Sequence, residues 1–220
     1  MIVINKLVKR IIDLLVAIVL LILLFPILLA TSFLILIFHG RPILYISRRC
    51  ITHNKTVPIF KFRSMHRDAK SEKYSLEKRY MRDGYLDIPT DCEVYTMIGR
   101  LLERFQLVEC PQLFNILFTR LSLVGNRPLP LANLDGLKKH EGWERRFDSP
   151  AGMTGITQIV GKLNQQPAQR VELEGMYSFI YNNGNILKCD FLILINTIKL
   201  VLFKKYISIT EARDIINRCK

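Results

Sequence analysis

The polar residues of the chain stop abruptly after its first turns. Lys6, Lys9, Arg10 and Asp13 interrupt an apolar start, and Leu14–Phe38 then runs without a single charge. As a straight helix at about 1.5 Å per residue, this run reaches roughly 37 Å, enough to cross a hydrocarbon core of about 30 Å with tilt. It is too long for the apolar core of a signal peptide, and no small-residue cleavage site follows it. Pro26 divides it into Leu14–Phe25 and Ile27–Phe38, each roughly 18 Å long as a helix and too short to span alone. Proline removes a helical hydrogen bond and kinks the axis. Basic residues flank both ends, with Lys6, Lys9 and Arg10 before and Arg41, Arg48 and Arg49 after. Positive charge stays on the cytoplasmic side, so both ends are expected there. A proline-kinked re-entrant helix satisfies that expectation; a kinked spanning helix, which membranes tolerate, is the alternative.

Beyond Gly40-Arg41-Pro42 the pattern shortens. Ile43–Ile46 is apolar and β-prone. In Val57–Met65, Ile59, Lys61 and Arg63 alternate with Phe60, Phe62 and Ser64. A strand there places both cations on one face, suited to a diphosphate or simply to solvent. His66–Thr90 is polar, with turn signals at Asp83-Gly84 and Pro89-Thr90, and reads as a loop with a short helix. Met97, Ile98, Leu101, Leu102 and Phe105 recur at helical spacing and predict a helix packed inward. Glu109 precedes Pro111, and Leu113, Phe114, Ile116, Leu117 and Phe118 follow. Proline favours the first turn of a helix, so Glu109 is predicted at a helix N-terminus, where free amides and the dipole favour phosphate. The turn Ser122–Pro128 presents Arg127, whose guanidinium matches phosphate bidentately. A capped core helix with an ordinary turn is the plainer alternative.

Residues 129–149 predict a surface helix, with Trp143 among Lys138, Lys139, His140, Arg145 and Arg146. Ala151–Lys162 holds three glycines, which permit tight turns or a close backbone approach to a ligand. Phe191–Phe203 is apolar but too short to span, and Asn196 and Lys199 break it. It reads as a core helix, or as an interfacial helix helped by Lys204 and Lys205. Ile207–Lys220 predicts a mixed-charge tail helix. No internal repeat is present.

Composition sharpens the membrane reading. Half of the 220 residues are hydrophobic, and 32 Lys and Arg against 19 Asp and Glu leave a formal charge of +13. That charge suits anionic headgroups or nucleotide phosphates. The basic residues are scattered rather than gathered into an arm, which disfavours nucleic acid. The cysteines (Cys50, Cys92, Cys110, Cys189 and Cys219) form no C-x-x-C pair, so neither a zinc site nor a disulfide framework is expected. The four histidines are far apart in sequence and suggest no imidazole-held metal.

Several of these stretches together resemble the bacterial sugar transferases, the monotopic polyprenyl-phosphate phosphoglycosyl transferases. Glu109, Pro111, Gln112, Leu113 and Asn115 match one signature; Ser122–Gly125 with Arg127 and Pro128 match a second. Lys61-Phe62-Arg63-Ser64-Met65 matches a third, and Thr154, Gly155, Gln158 and Gly161 match a glycine motif from which Ala151, Ile156, Val160 and Lys162 depart. Gly99-Arg100 and the late spacing of Tyr181 and Asp190 also fit, so the likeness runs from Lys9 to about Phe203. The resemblance implies an α+β protein: a re-entrant membrane helix broken at Pro26 (1–39), a helix-rich cytoplasmic domain with short strands and interfacial helices (40–205), and a C-terminal tail (206–220). It implies residence in the bacterial inner membrane with the soluble part on the cytoplasmic face. A homodimer through the apolar flank is one arrangement it allows.

The implied reaction moves a phosphosugar from a nucleotide diphosphate sugar, commonly a UDP-sugar, to polyprenyl (undecaprenyl) phosphate. That step initiates exopolysaccharide, O-antigen of lipopolysaccharide, or other glycoconjugate synthesis. In the family an Asp-Glu pair binds Mg²⁺ and its aspartate attacks the sugar-bearing phosphate. Here Val108 occupies the aspartate position, and Arg120 replaces a second family acid. Glu109 is therefore the candidate catalytic residue and metal ligand, and Lys61, Arg63, Arg127 and Gln158 are the candidate phosphate contacts. Glu109 attacks, or it binds metal while another acid such as Glu103 or Asp91 attacks, or the chain is a noncatalytic membrane protein that binds a nucleotide sugar or pairs with a true transferase.

Overall fold

The computed structural model describes residues 2–82, 85–86, 88–161 and 164–220. The turn signal at Asp83-Gly84 and the departure at Lys162 lie outside those residues. The apolar start is one helix, α1 (Ile2–His39), helical on both sides of Pro26. It lies along the rest of the protein over most of its length. Ala17 packs with Val57, Ile59, Leu113, Ile116, Leu121 and Leu123. Further on, Leu28 and Ile35 pack with Phe62, Ile98, Leu102 and Val108. The opposite face, including Leu15, Ile22, Phe25, Leu29 and Phe33, is exposed.

Polar groups fix the first turns of α1. Lys9 donates to the Val124 carbonyl at 2.9 Å and to Asp190 at 2.5 Å. Asp13 accepts from the Ser122 hydroxyl at 2.6 Å and from the Leu123 amide at 3.2 Å. Arg10 caps the Leu121 and Ile116 carbonyls. Tyr177 completes the cluster by donating to Asp190 at 2.8 Å. Lys9 and Asp13 are each 3% exposed, and charges that deep persist only when paired and hydrogen-bonded. Tyr181 instead meets the Lys6 ammonium across its ring face at 4.4 Å.

Past α1 a hairpin forms from β1 (Leu44–Cys50) and β2 (Thr56–Phe62), antiparallel with Tyr45 opposite Lys61 and Arg49 opposite Val57. The first strand runs four residues past the predicted Ile43–Ile46, because β2 supplies ladder partners as far as Cys50. Next come α2 (Leu76–Tyr80), the short hairpin β3 (Met81–Arg82) and β4 (Tyr85–Leu86), α3 (Met97–Arg104) and α4 (Gln112–Leu117). Then follow β5 (Ser122–Val124), α5 (Leu131–Leu137), β6 (Gly152–Thr154), α6 (Ile156–Val160), α7 (Pro167–Asn183), α8 (Ile186–Phe203) and α9 (Ile209–Asn217). The architecture is helix-rich with three two-stranded sheets among the described residues, and β5 pairs with β6 in parallel.

Several sequence expectations change in detail. Only Ile98 and Leu102 of the α3 row turn inward, while Met97, Leu101 and Phe105 are exposed. With Phe114, Phe118 and the outer residues of α8, they leave apolar side chains on the surface. Trp143 sits edge-on to His53 at 5.3 Å and to Phe147 at 6.0 Å, within a small aromatic cluster. Its segment is α5 plus a 3-10 turn whose Leu134 and Leu137 are buried, rather than one surface helix. The C-terminal helix is not loose: Ala212, Ile216 and Cys219 enter the main core beside Ile180, Ile186 and Ile193. All five cysteines are free and buried.

Candidate active site

Three elements converge beside α1. The hairpin supplies Lys61 and Arg49, which share a face because both lie at odd positions of the ladder. A 3-10 turn, Leu107–Glu109, supplies Glu109 between α3 and α4. The chain leaving β5 supplies Arg127. Asn115 of α4, the helix that follows the Glu109 turn, ties that helix to the hairpin, accepting from the Phe60 amide at 2.9 Å and donating to the Pro58 carbonyl at 2.7 Å. Asn115 is fully buried, so an apolar replacement would strand both backbone groups of the strand that carries Lys61.

The turn bearing Arg127 is braced from behind. Asn126 donates to the Arg146 and Glu174 carbonyls and to the hydroxyls of Ser149 and Ser178. Arg146 donates to the Arg127 carbonyl at 2.7 Å and pairs with buried Glu174, which also takes Arg170 at 2.9 Å. The glycines act at the same crossing. A side chain on Gly125 would collide with Pro150 and Gly152, and one on Gly155 with the Gly125 carbonyl. The close approach anticipated at the glycine motif is thus one of backbone to backbone, made to hold β5 against β6.

Glu109 Oε1 accepts from Lys61 Nζ at 2.6 Å and from Arg127 NH2 at 2.6 Å, and Oε2 faces Arg127 NH1 at 3.3 Å. Burial pushes the Glu109 carboxyl upward, but Arg127 and Lys61 overcome it and hold the group well below the usual carboxylate range. Lys61 is lowered from the usual lysine value by burial, with Arg127 and Arg49 adding to the effect and Glu109 opposing it. Arg49 is lowered by burial and by the Arg127 charge. One carboxylate therefore pairs with two cations, and a third, Arg49, lies within electrostatic reach while its Nε donates to the Ser47 hydroxyl at 2.7 Å. The surplus positive charge is what an incoming diphosphate would meet.

Not every candidate joins this cluster. Arg63 lies past the end of β2 and donates to the His39 and Gly40 carbonyls at 2.7 and 3.0 Å, at the far end of α1. The strand that would have aligned it with Lys61 has ended at Phe62. Gln158 accepts from the Thr157 hydroxyl at 3.2 Å within α6, and its amide nitrogen is buried without a partner. Glu109 ends the 3-10 turn, three residues before α4 begins at Gln112 behind its cap, Pro111. Val108 is buried in the apolar cluster with Leu28, Ile35, Phe62, Ile98 and Leu102. Its position has been absorbed into the core rather than left as a polar vacancy.

The donor set does not fit a protein-held Mg²⁺. That ion needs a free carboxylate, yet both oxygens of Glu109 face cations. No group of three or more acidic, His or Cys side chains gathers among the described residues. Glu103 accepts from the Ser64 hydroxyl at 3.0 Å, and its charge reaches Arg127. Arg49 is the cation beside this cluster that the sequence pattern did not single out. The alternation Tyr45, Ser47, Arg49 along β1 was the available signal.

A fold laid along a long apolar helix with an exposed outer face, and an acid held between two cations, is the setting of a membrane-associated protein. The profile of the bacterial sugar transferase family matches residues 4–204. The chain belongs to that family. It is 28% identical over 197 residues to the UDP-N-acetylgalactosamine-undecaprenyl-phosphate N-acetylgalactosaminephosphotransferase of Aeromonas hydrophila, covering 89% of this chain and 44% of that one. It is 35% identical over 157 residues to an undecaprenyl-phosphate glucose phosphotransferase of Komagataeibacter xylinus, covering 70% and 28%. The exopolysaccharide production protein ExoY of Sinorhizobium fredii is 30% identical over 205 residues, covering 90% and 86%. The chain thus spans less than half the length of the first two relatives.

Proposed function

We propose that this chain transfers a phosphosugar from a nucleotide diphosphate sugar, UDP-linked as in the Aeromonas relative, to undecaprenyl phosphate. The observation that carries the reading is the Glu109 carboxylate clamped by Lys61 and Arg127, with Arg49 alongside. On this reading the diphosphate oxygens take over the three cations and release Glu109 from its clamp. A Glu109 oxygen attacks the sugar-bearing phosphorus, the bond from that phosphorus to the bridging oxygen breaks, and nucleoside monophosphate leaves with the electron pair. The acceptor's phosphate oxygen then attacks the same phosphorus and returns Glu109 as a carboxylate. Lys61, Arg127 and Arg49 balance charge on the transferring phosphate throughout.

The reading places α1 on the cytoplasmic face of the inner membrane, dipping in and returning at Pro26. Contacts between α1 and the soluble part near both ends and in the middle support this, as does the exposed apolar outer face. A second reading, a noncatalytic binder of nucleotide sugar or a partner of a true transferase, draws on one observation: Val108 is packed into the core. The deciding experiment is release of nucleoside monophosphate by purified protein in nanodiscs, with undecaprenyl phosphate and a panel of UDP-sugars. Release that disappears in Glu109→Gln supports transfer. Tight UDP-sugar binding with no release from any sugar supports the binder.

A further inference from the structure

Arg63 is 7% exposed and donates only NH2, to the His39 and Gly40 carbonyls; its Nε and NH1 are buried without partners. Buried guanidinium donors are almost always satisfied. Arg63 also lines a cavity of about 360 Å³ whose wall carries His39, His66, Arg67 and Asp68. The buried Nε2 of His39 is without a partner as well. The Arg67 guanidinium stands at the same spot, with NH2 the nearest atom to the Cα side of Gly40. Two arginines and two histidines thus share the wall with one acid, and Asp68 lies 3.9 Å from Lys73. Lys61, Glu109 and Arg127 take no part in this wall.

We propose that this cavity is an anion site for a phosphate group, distinct from the Glu109 centre, at the point where α1 leaves the apolar layer. Arginine is weakly hydrated and presents fixed donors to phosphate oxygens, and two arginines, Arg63 and exposed Arg67, stand in this wall. Burial and the neighbouring Arg67 lower the Arg63 pKa from its ordinary value, a strain that a bound anion relieves. Because His39 ends the apolar helix, the phosphate comes from a lipid headgroup or from solution. The site stands whether or not the chain is a transferase.

Histidine NMR tests it locally. Protein labelled with ¹⁵N-histidine reports the cavity through His39 and His66, while His53 and His140 serve as controls; single His→Gln variants assign the signals. Inorganic phosphate added to protein in an uncharged maltoside detergent is expected to move the His39 and His66 signals saturably. Arg67→Gln, an exposed change that keeps the fold, is expected to raise the apparent Kd about tenfold or more; Arg63→Gln does the same or more, and Lys61→Gln does not. Phosphatidylglycerol nanodiscs without added phosphate identify a headgroup source if they move the same signals and phosphatidylcholine discs do not. Signals that stay put with both inorganic phosphate and phosphatidylglycerol overturn the site. So does a response unchanged in both arginine variants.

Discussion

Arg127 grips Glu109 with both terminal nitrogens, at 2.6 and 3.3 Å, while Lys61 reaches the shared oxygen at 2.6 Å from the other side. The carboxylate is thus the hub of a cation cluster. Neutralising it has two opposite consequences. Glu109→Gln is expected to reduce turnover by at least about 1,000-fold, because the acid available for attack is gone. The same change frees Lys61, Arg127 and Arg49 for phosphate, so nucleoside diphosphate is expected to bind about tenfold tighter. Calorimetric titration beside the release assay checks both. Weaker binding with unchanged turnover would show that Glu109 only holds the scaffold.

The same cluster sets a pH dependence. Glu109 has a folded pKa below its ordinary value near 4.3, so the unfolded chain binds the proton more readily. Its stabilising contribution is complete above that ordinary value and is lost as pH falls through it toward the lower folded pKa. The urea midpoint of the parent should therefore fall faster than that of Glu109→Gln between about pH 6 and about pH 3. Parallel curves would mean that the ion pairs add nothing to stability.

Nucleotide binding is expected to survive removal of Mg²⁺. The residues around Glu109 provide cations rather than a set of free acids, so on the proposed reading a diphosphate would find its counter-charge in the protein. UDP titrations with and without chelator should differ by less than about tenfold. A loss of binding on chelation would show that Glu109 leaves its clamp to hold metal before the nucleotide arrives.

Val108 tests how far the site has drifted from its relatives. It is 5% exposed and packed among Leu28, Phe62, Ile98 and Leu102. Val108→Asp puts a carboxylate into that cluster and is expected to cost about 2–4 kcal/mol of stability without restoring or raising turnover. A denaturant midpoint equal to the parent's, with faster release, would show that position 108 opens toward Lys61 and Arg127.

Much of this arrangement was legible because local chemistry announces itself in the chain. The uncharged run before His39 gave the long helix, and alternation in Val57–Met65 gave the strand that aims Lys61. What stayed hidden depends on contacts distant in sequence. Nothing near Asn115 indicates that its amide ties α4 to β2, and nothing near Lys9 points to Asp190, far along the chain. Arg63 was misaligned for a related reason: periodicity continues past Phe62 in sequence, while the strand stops where its partner does. Three of the five residues in the α3 row are exposed because helical spacing shows an apolar face but not whether protein or lipid covers it.

That last ambiguity bears on α1, and the structure suggests how to resolve it. A spanning helix carries its two ends to opposite sides of the membrane, some 30 Å of hydrocarbon apart. Here Lys9 near the start of α1 is tied to Asp190, and the carbonyls at its end are tied to Arg63. The middle rests on the same protein surface through Ala17 and Leu28. Pulling one end across the membrane would strip the Lys9–Asp190 pair or the Arg63 contacts, leaving a buried charge unpaired at a cost of about 3–5 kcal/mol. Both ends are therefore expected on one side. Single cysteines at Asn5→Cys and Arg41→Cys, in a chain whose own cysteines are buried, should both react with a membrane-impermeant maleimide in inside-out vesicles and neither in spheroplasts. If Asn5→Cys reacts from outside while Arg41→Cys reacts from inside, α1 spans, and the return at Pro26 is wrong.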